Sequence, residues 1–270
     1  MPHEDRLQLA VSIAREAGDL TLKYFRAANL QVDSKRDGTP VTIADRDAEK
    51  LLRAKVGQRF PADALLGEEF GDSPGTSGYQ WIFDPVDGTK SFVCGVPLYG
   101  TIVAVMKDDQ PVIGVINMPA LNELVYASVG GGAWLSVAGA PPVSAKVSTV
   151  GDLSDAVTVF TAPEVWRQAA RWPEFERLCN ASRLSRGWSD CYGCVLLATG
   201  RADVWAEPSI SLWDVAAAVP IIEEAGGRYT DFAGRRAWLT GNCIATNALL
   251  HAQAIAVLND KGGRSGGPPC

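Results

Sequence analysis

Residues 81–92 read WIFDPVDGTKSF. An apolar, strand-like run, Trp81-Ile82-Phe83, stops at Asp84, and Pro85, Asp87, Gly88 and Thr89 follow directly. Proline cannot donate to a sheet ladder, so the strand is expected to end there. The bend that proline imposes lets Asp84 and Asp87 face one ion, and it exposes the Val86 carbonyl beside them. Gly88 permits close backbone approach, and a helical turn opening at Gly88-Thr89-Lys90 offers free N–H groups to a phosphate. The stretch therefore predicts a divalent cation with a phosphate above it, at the end of a buried strand.

Three further acidic groups extend this reading: Glu68 and Glu69 in ALLGEEFG, Asp214 after Trp213, and Asp45 in VTIADRDAEKLLRAKVGQRF. Magnesium takes hard oxygen ligands in near-octahedral array, and two ions about 4 Å apart can hold both the attacking and the leaving oxygen. The Thr89 hydroxyl is placed to accept a proton from a metal-bound water, with Asp45 as its own acceptor. Each element alone has a plainer reading. D-x-x-D with glycine is commonly a surface turn, paired glutamates a solvated face, Asp214 a helix N-cap, and Asp45 a first-turn acid favoured by the helix dipole. The metal reading rests on their joint occurrence.

Composition sets the class. Hydrophobic content of 47% with 21% charged residues describes a globular protein able to bury one large core or two modest ones in 270 residues. A net charge of −6 without a basic stripe excludes a nucleic-acid surface, while bound metal reverses the local sign for a phosphorylated ligand. The polar start, MPHEDRLQLA, does not read as a signal peptide, and no apolar run reaches membrane-spanning length. Six scattered cysteines form no disulfide framework, so a cytoplasmic address is expected. Cys191-Tyr192-Gly193-Cys194 lacks a second pair at zinc spacing and reads as small buried residues.

Periodicity predicts a helix within residues 4–28, ending near Phe25, and a second over 41–60, with Thr42 capping the second and Asp45 and Glu49 on one face. SKRDGTP between them is a turn-rich loop, and ALLGEEFG a short buried strand ending in acids. TIVAVMK, VIGVINM and ELVYASV form a meander. A texture change at residues 137–154 divides an N-terminal half, 1–145, carrying most of the candidate ligands, from a C-terminal half, 146–260, carrying Asp214. In that second half CYGCVLLATG is a helix, ADVWAE a strand, WDVAAAVPIIEEAGG one helix kinked at Pro220, and NCIATNALLHAQAIAVL a last strand and helix. Residues 261–270, rich in glycine and proline, have the composition of a disordered tail.

With WIFDPVDGTKSF, LWDVAAAVPIIEEAGG (212–227), GEEFG (67–71) and TIAD (42–45) in this order, the chain resembles the inositol-monophosphatase superfamily of metal-dependent, lithium-sensitive phosphatases over residues 7–258. The resemblance implies an α+β fold, a layered αβαβα sandwich that is normally a homodimer, with the site between the halves. It matches Glu68, Asp84, the Val86 carbonyl, Asp87 and Asp214 to metal ligands, two or three magnesium ions with manganese as a substitute. It matches Thr89 with Asp45 to the pair that deprotonates the nucleophilic water, and the Gly88 and Thr89 amides to the phosphate cradle.

Within the superfamily, DCYGCVLLATGRADVWAEP (190–208), TPVTIADRDAE, TKSFVCGVPLYGTIVAV and Pro220 look most like the histidinol-phosphate phosphatases. Inositol-specific members tend to carry Thr-Asn where this chain has Lys90-Ser91, and a small neutral residue at Asp190. A carboxylate is the natural partner for the protonated amine of histidinol phosphate, whereas a polyol offers only hydroxyls. Glu207 matches a substrate-contacting acid of both branches and does not discriminate. Asp190 has a plainer reading as the cap of the following helix. The expected activity is Mg-dependent hydrolysis of histidinol phosphate. The alternatives are an inositol-1-phosphate or broad sugar-phosphate phosphatase, then removal of a 3′-phosphate from an adenosine bisphosphate. A non-catalytic metal- or partner-binding module is the reading from another class, and the complete set of acids argues against it.

Overall fold

The computed structural model describes residues 3–35, 38–238 and 240–260. The expected disordered tail, 261–270, lies outside the described residues, as do residues 36–37 of the predicted loop. In the N-terminal half, α1 (Glu4–Leu22) is followed by a small hairpin, β1 (Val32–Ser34) with β2 (Pro40–Thr42), and by α2 (Ile43–Arg59). Then come β3 (Ala64–Gly67), β4 (Gly71–Ser73), β5 (Tyr79–Asp87), the one-turn α3 (Thr89–Val93), and strands β6 (Gly100–Lys107) to β10 (Val143–Ser144). Between those two lie β7 (Gln110–Met118), β8 (Glu123–Ser128) and β9 (Ala133–Val137). Among the described residues they form an eight-stranded sheet in the order β10-β9-β8-β7-β6-β5-β3-β4, antiparallel except where β3 runs parallel to β5.

The C-terminal half contributes β11 (Val157–Val159), α4 (Pro163–Gln168), α5 (Trp172–Ala181), β12 (Leu184–Arg186), α6 (Cys191–Ala198) and β13 (Val204–Glu207). After these come α7 (Leu212–Val215), α8 (Ala218–Glu224), β14 (Gly227–Thr230), β15 (Cys243–Asn247) and α9 (His251–Asn259). Its five-stranded sheet has the order β12-β11-β13-β15-β14.

Side-chain alternation along the strands builds the layers. On β5, Trp81 and Phe83 pack against α1 and α2, while Ile82 faces the opposite way into a core shared with α6 and α8. On β13, Trp205 enters that same shared core, and Val204 and Ala206 face Phe175, Leu178, Ala254 and Leu258 of α5 and α9. The result is helices, sheet, helices, sheet, helices, the αβαβα sandwich the resemblance implied.

Two predicted elements differ. The strand at Trp81 does not stop at Asp84 but runs to Asp87, because one extra residue forms a bulge: Asp84 pairs with Ile102 and Asp87 with Gly100. Pro85 sits in that bulge, where no ladder N–H is required, and its carbonyl accepts from Thr101 Oγ1 at 2.9 Å. The single helix expected over WDVAAAVPIIEEAGG is two, α7 and α8, broken ahead of Pro220, whose ring excludes the carbonyl four residues earlier from helical bonding. Trp166 is fully buried and stacks on Phe232 at 5.5 Å, so it belongs to the outer core, although its neighbours Glu164 and Val165 face the site cavity. No described helix is long and apolar enough to cross a membrane.

His251, at the start of α9, is buried with Nε2 2.9 Å from Thr230 Oγ1 and Nδ1 3.1 Å from Thr246 Oγ1. Burial, and then the Arg228 charge, push its pKa down to about 4 from 6.5. A depressed histidine leaves the folded state with fewer protons than the unfolded chain, so stability present above pH 6.5 is lost as pH falls through 4. His251→Gln is expected to flatten the decline of Tm between neutral pH and pH 4; a slope equal to wild type would remove His251 as its cause.

Candidate metal centre and active site

The bulge in β5 decides the site. In a regular strand, residues three apart point to opposite faces. One inserted residue restores them to the same side, so Asp84 and Asp87 converge. Asp214 joins them from the first turn of α7, and one carboxylate oxygen from each of the three lies within 4.8 Å of the others. Asp214 is not the N-cap itself. It is the third residue of a capping box, its Oδ2 accepting the Ser211 N–H at 2.9 Å. That bond occupies one oxygen and leaves the other for the cluster.

Asp84 is buried and Asp87 and Asp214 are half-buried, and none of the three has a basic partner among the ion pairs of the described residues. Burial lifts their pKa values: Asp84 goes well above the usual carboxylate range, with Glu68 and Asp87 adding to it. Asp87 rises to about 7 through burial and then the Asp214 charge, and Asp214 to about 7 through burial, opposed by the Ser211 N–H. Like charges held this close and partly withdrawn from water call for a cation between them. Hard oxygen donors in this number fit a divalent ion of the magnesium type.

Glu68 lines the same cavity from the turn after β3 but stands outside the tight cluster, its Oε1 2.7 Å from Lys35 Nζ. Lys35 also reaches Glu69 at 2.6 Å. Beneath this turn, the buried Glu49 accepts the N–H groups of Glu69 at 2.8 Å and Phe70 at 3.2 Å and pairs with Arg53 at 2.7 Å. A Cβ at Gly67 would lie 2.0 Å from Glu49 Oε1, so a larger residue there would push the Glu49 carboxylate off these bonds. The helical spacing of Asp45, Glu49 and Arg53 was the available signal for this support; nothing in the sequence announced Lys35.

Asp45 sits in a capping box with Thr42. Its Oδ2 accepts Thr42 N–H at 2.8 Å and Thr42 Oγ1 at 2.6 Å, and burial raises its pKa against those bonds. Its other oxygen, Oδ1, lies 3.5 Å from Thr89 Oγ1, which donates to the Val86 carbonyl at 3.0 Å. The single Thr89 proton thus has two acceptors, a cluster-side carbonyl and a buried carboxylate. Gly88, the N-cap of α3, has φ 80°, and a Cβ there would crowd Leu98 O and Asp190 Oδ2.

The cavity above these groups has a volume near 480 Å³. A smaller recess of about 130 Å³ continues past Asp87 and Asp214 to Trp205, Glu207 and Ile210. Asp190 lines both, and Cys191 N–H donates to Asp87 Oδ2. Asp190 occupies the N-cap position of α6, yet its side chain makes no capping bond, contrary to the plainer reading of that residue. Burial, then Asp87, lifts Asp190 to about 7, and burial lifts Glu207 to about 7 against donors from Ser189, Trp205 and Thr161. Cys191 and Cys194 are buried and free, as read from the sequence. Every site residue expected from the sequence lines one of the two cavities except Asp45, which reaches them through Thr89.

A model of the inositol monophosphatase family matches residues 3–262. A histidinol-phosphatase of Chlorobaculum parvum is 44% identical over 94% of this chain and 96% of its own length. Another, of Mycobacterium tuberculosis, is 41% identical over 96% of this chain and 99% of its own. Among solved structures, the extragenic suppressor protein suhB of Bartonella henselae superposes with a TM-score of 0.88 at 28% identity, covering 96% of this chain and all of that one. With the fold, the acidic cluster and the matched length in agreement, the chain belongs to the inositol monophosphatase family.

Proposed function

We propose that the protein is a magnesium-dependent phosphomonoesterase that hydrolyses histidinol phosphate to histidinol and phosphate. Asp84, the Val86 carbonyl, Asp87, Asp214 and Glu68 would hold the metal, with manganese as a substitute and lithium as an inhibitor. The bound ions supply Lewis-acid stabilisation of phosphoryl charge and a water of lowered pKa. The Thr89 hydroxyl takes a proton from the attacking water as it gives its own to Asp45. The Gly88 and Thr89 amides orient the phosphate. Water oxygen bonds to phosphorus as the phosphorus–oxygen bond to the alcohol breaks, and the departing oxygen takes a proton from a solvent water in the cavity to leave as histidinol.

The observation that carries the substrate reading is Asp190: a carboxylate that is offered the end of a helix, declines it, and turns into the cavity beside Gly88. A protonated amine next to the phosphate ester is its complement. Glu207, deeper in the recess, holds the rest of the substrate. The names of the curated relatives support the same choice. The two halves, 1–145 and 146–260, are proposed as the units between which the substrate binds, in a homodimer. The free cysteines of the described residues suit a reducing, cytoplasmic setting.

The test is magnesium-dependent phosphate release from histidinol phosphate and inositol 1-phosphate side by side. A preference of roughly a hundredfold in kcat/KM, about 2.7 kcal/mol, is expected for histidinol phosphate, and Asp190→Ala should erase most of it. Equal rates on both esters would make this a general small-phosphate phosphatase.

A further inference from the structure

Asp190 has φ 52° and ψ −145°, a backbone conformation natural to glycine and costly for a residue with a Cβ. An aspartate relaxed into the ordinary N-cap conformation would turn its carboxylate to the open N–H groups of α6. Here the Cys191 N–H is taken by Asp87 and the Gly193 N–H by the Asp190 carbonyl at 3.2 Å. The carboxylate instead points across the cavity, its Oδ2 3.1 Å from where a Cβ on Gly88 would stand.

Strain of this kind persists only where neighbours over-determine it. The Asp190 carbonyl accepts from Gly193 N–H and from Ser189 Oγ at 3.1 Å, and its own N–H is held by Thr161, on the loop between β11 and α4. Its Oγ1 accepts the Asp190 N–H at 3.0 Å and lies 2.9 Å from Glu207 Oε1. An amide can only donate, so the hydroxyl proton is directed at Glu207 and the hydroxyl lone pair at Asp190. Glu207 is itself fixed, since the same Oε1 accepts Trp205 Nε1–H at 2.9 Å from the buried floor of β13. The chain Trp205, Glu207, Thr161, Asp190 therefore runs from the core to the cavity wall.

We infer that Thr161 is a positioning residue for substrate selection: its hydroxyl holds Asp190 in the glycine-like conformation that keeps the carboxylate off the helix end and aimed at a cationic group of the substrate. The inference rests on the amine reading of Asp190 above and adds the device that enforces it. Without the hydroxyl, the Asp190 N–H loses its acceptor, and the residue is free to relax into a helix cap.

The experiment compares kcat/KM for histidinol phosphate with that for its des-amino analogue, imidazolylpropyl phosphate, in wild type, Thr161→Val, Thr161→Ser and Asp190→Ala. The expected result is a wild-type preference for the amine-bearing ester that Thr161→Val lowers by about tenfold or more, chiefly through KM, and that Thr161→Ser retains. Should the valine variant fail to fold, Thr161→Ala, which introduces no added bulk, is read by the same ratio. A preference that Asp190→Ala erases but both Thr161→Val and Thr161→Ala keep overturns the role of Thr161 and leaves the amine reading standing. Absence of any preference in wild type overturns the amine reading, and this inference with it.

Discussion

Asp87→Asn is expected to lower phosphate release by roughly a thousandfold while the metal-free protein becomes more resistant to heat. Losing one ligand from the cluster removes several kcal/mol of charge stabilisation at the phosphoryl group, and about 4 kcal/mol is three decades in rate. The stability gain has the opposite origin. Asp87 is half-buried beside Asp84 and Asp214, so in the absence of a cation its charge is opposed by desolvation and by theirs. Asparagine keeps an oxygen for the Cys191 N–H and removes the repulsion. The measurement is Tm with and without magnesium. Wild type should gain on adding metal, by up to about 2.7 kcal/mol at a hundredfold excess over Kd, and the variant should gain little. A variant that folds and retains full activity would refute the metal mechanism.

Thr89→Val should lower kcat by roughly a hundredfold or more, the usual worth of a positioned proton acceptor, with the magnesium-induced rise in Tm intact. Valine matches threonine in shape and removes only the hydroxyl that lies between the Val86 carbonyl and Asp45 Oδ1. Thr89→Ser restores it and should stay within about tenfold of wild type. Asp45→Asn should follow Thr89→Val in activity while its helix stays capped within about 1 kcal/mol, because an amide oxygen still accepts from Thr42. Full turnover by Thr89→Val would show that the attacking water loses its proton elsewhere.

Much of this site was legible because its chemistry is local. WIFDPVDGTKSF places two carboxylates, a proline bend, a glycine and a hydroxyl within twelve residues, and Thr42 with Asp45 is a capping box in its own sequence. Where the sequence reading failed, the missing information was a partner. Whether a strand ends at Pro85 or bulges depends on β6 alongside it, and only the register of Asp84 and Asp87 against Ile102 and Gly100 records the inserted residue. Where a proline-bearing helix breaks depends on what it packs against, so Pro220 marked the trouble without marking the division between α7 and α8. For Asp190 the plainer cap reading stayed open beside the substrate reading because composition does not specify φ and ψ.

From the sequence alone came the class of chemistry, the acids that gather at the cavity, the layered helix-and-sheet architecture and the resemblance to the family. Only the tertiary structure decided which oxygens meet. Asp214 reaches Asp84 and Asp87 through the packing of α7 against β5 and β6. Lys35 reaches Glu68 from the loop between β1 and β2, and Thr161 accepts the Asp190 N–H while the Asp190 carboxylate lines the cavity without capping its own helix. Residue type and short spacing fix what a group can do; direction and proximity are set by burial and register, which are properties of the whole fold.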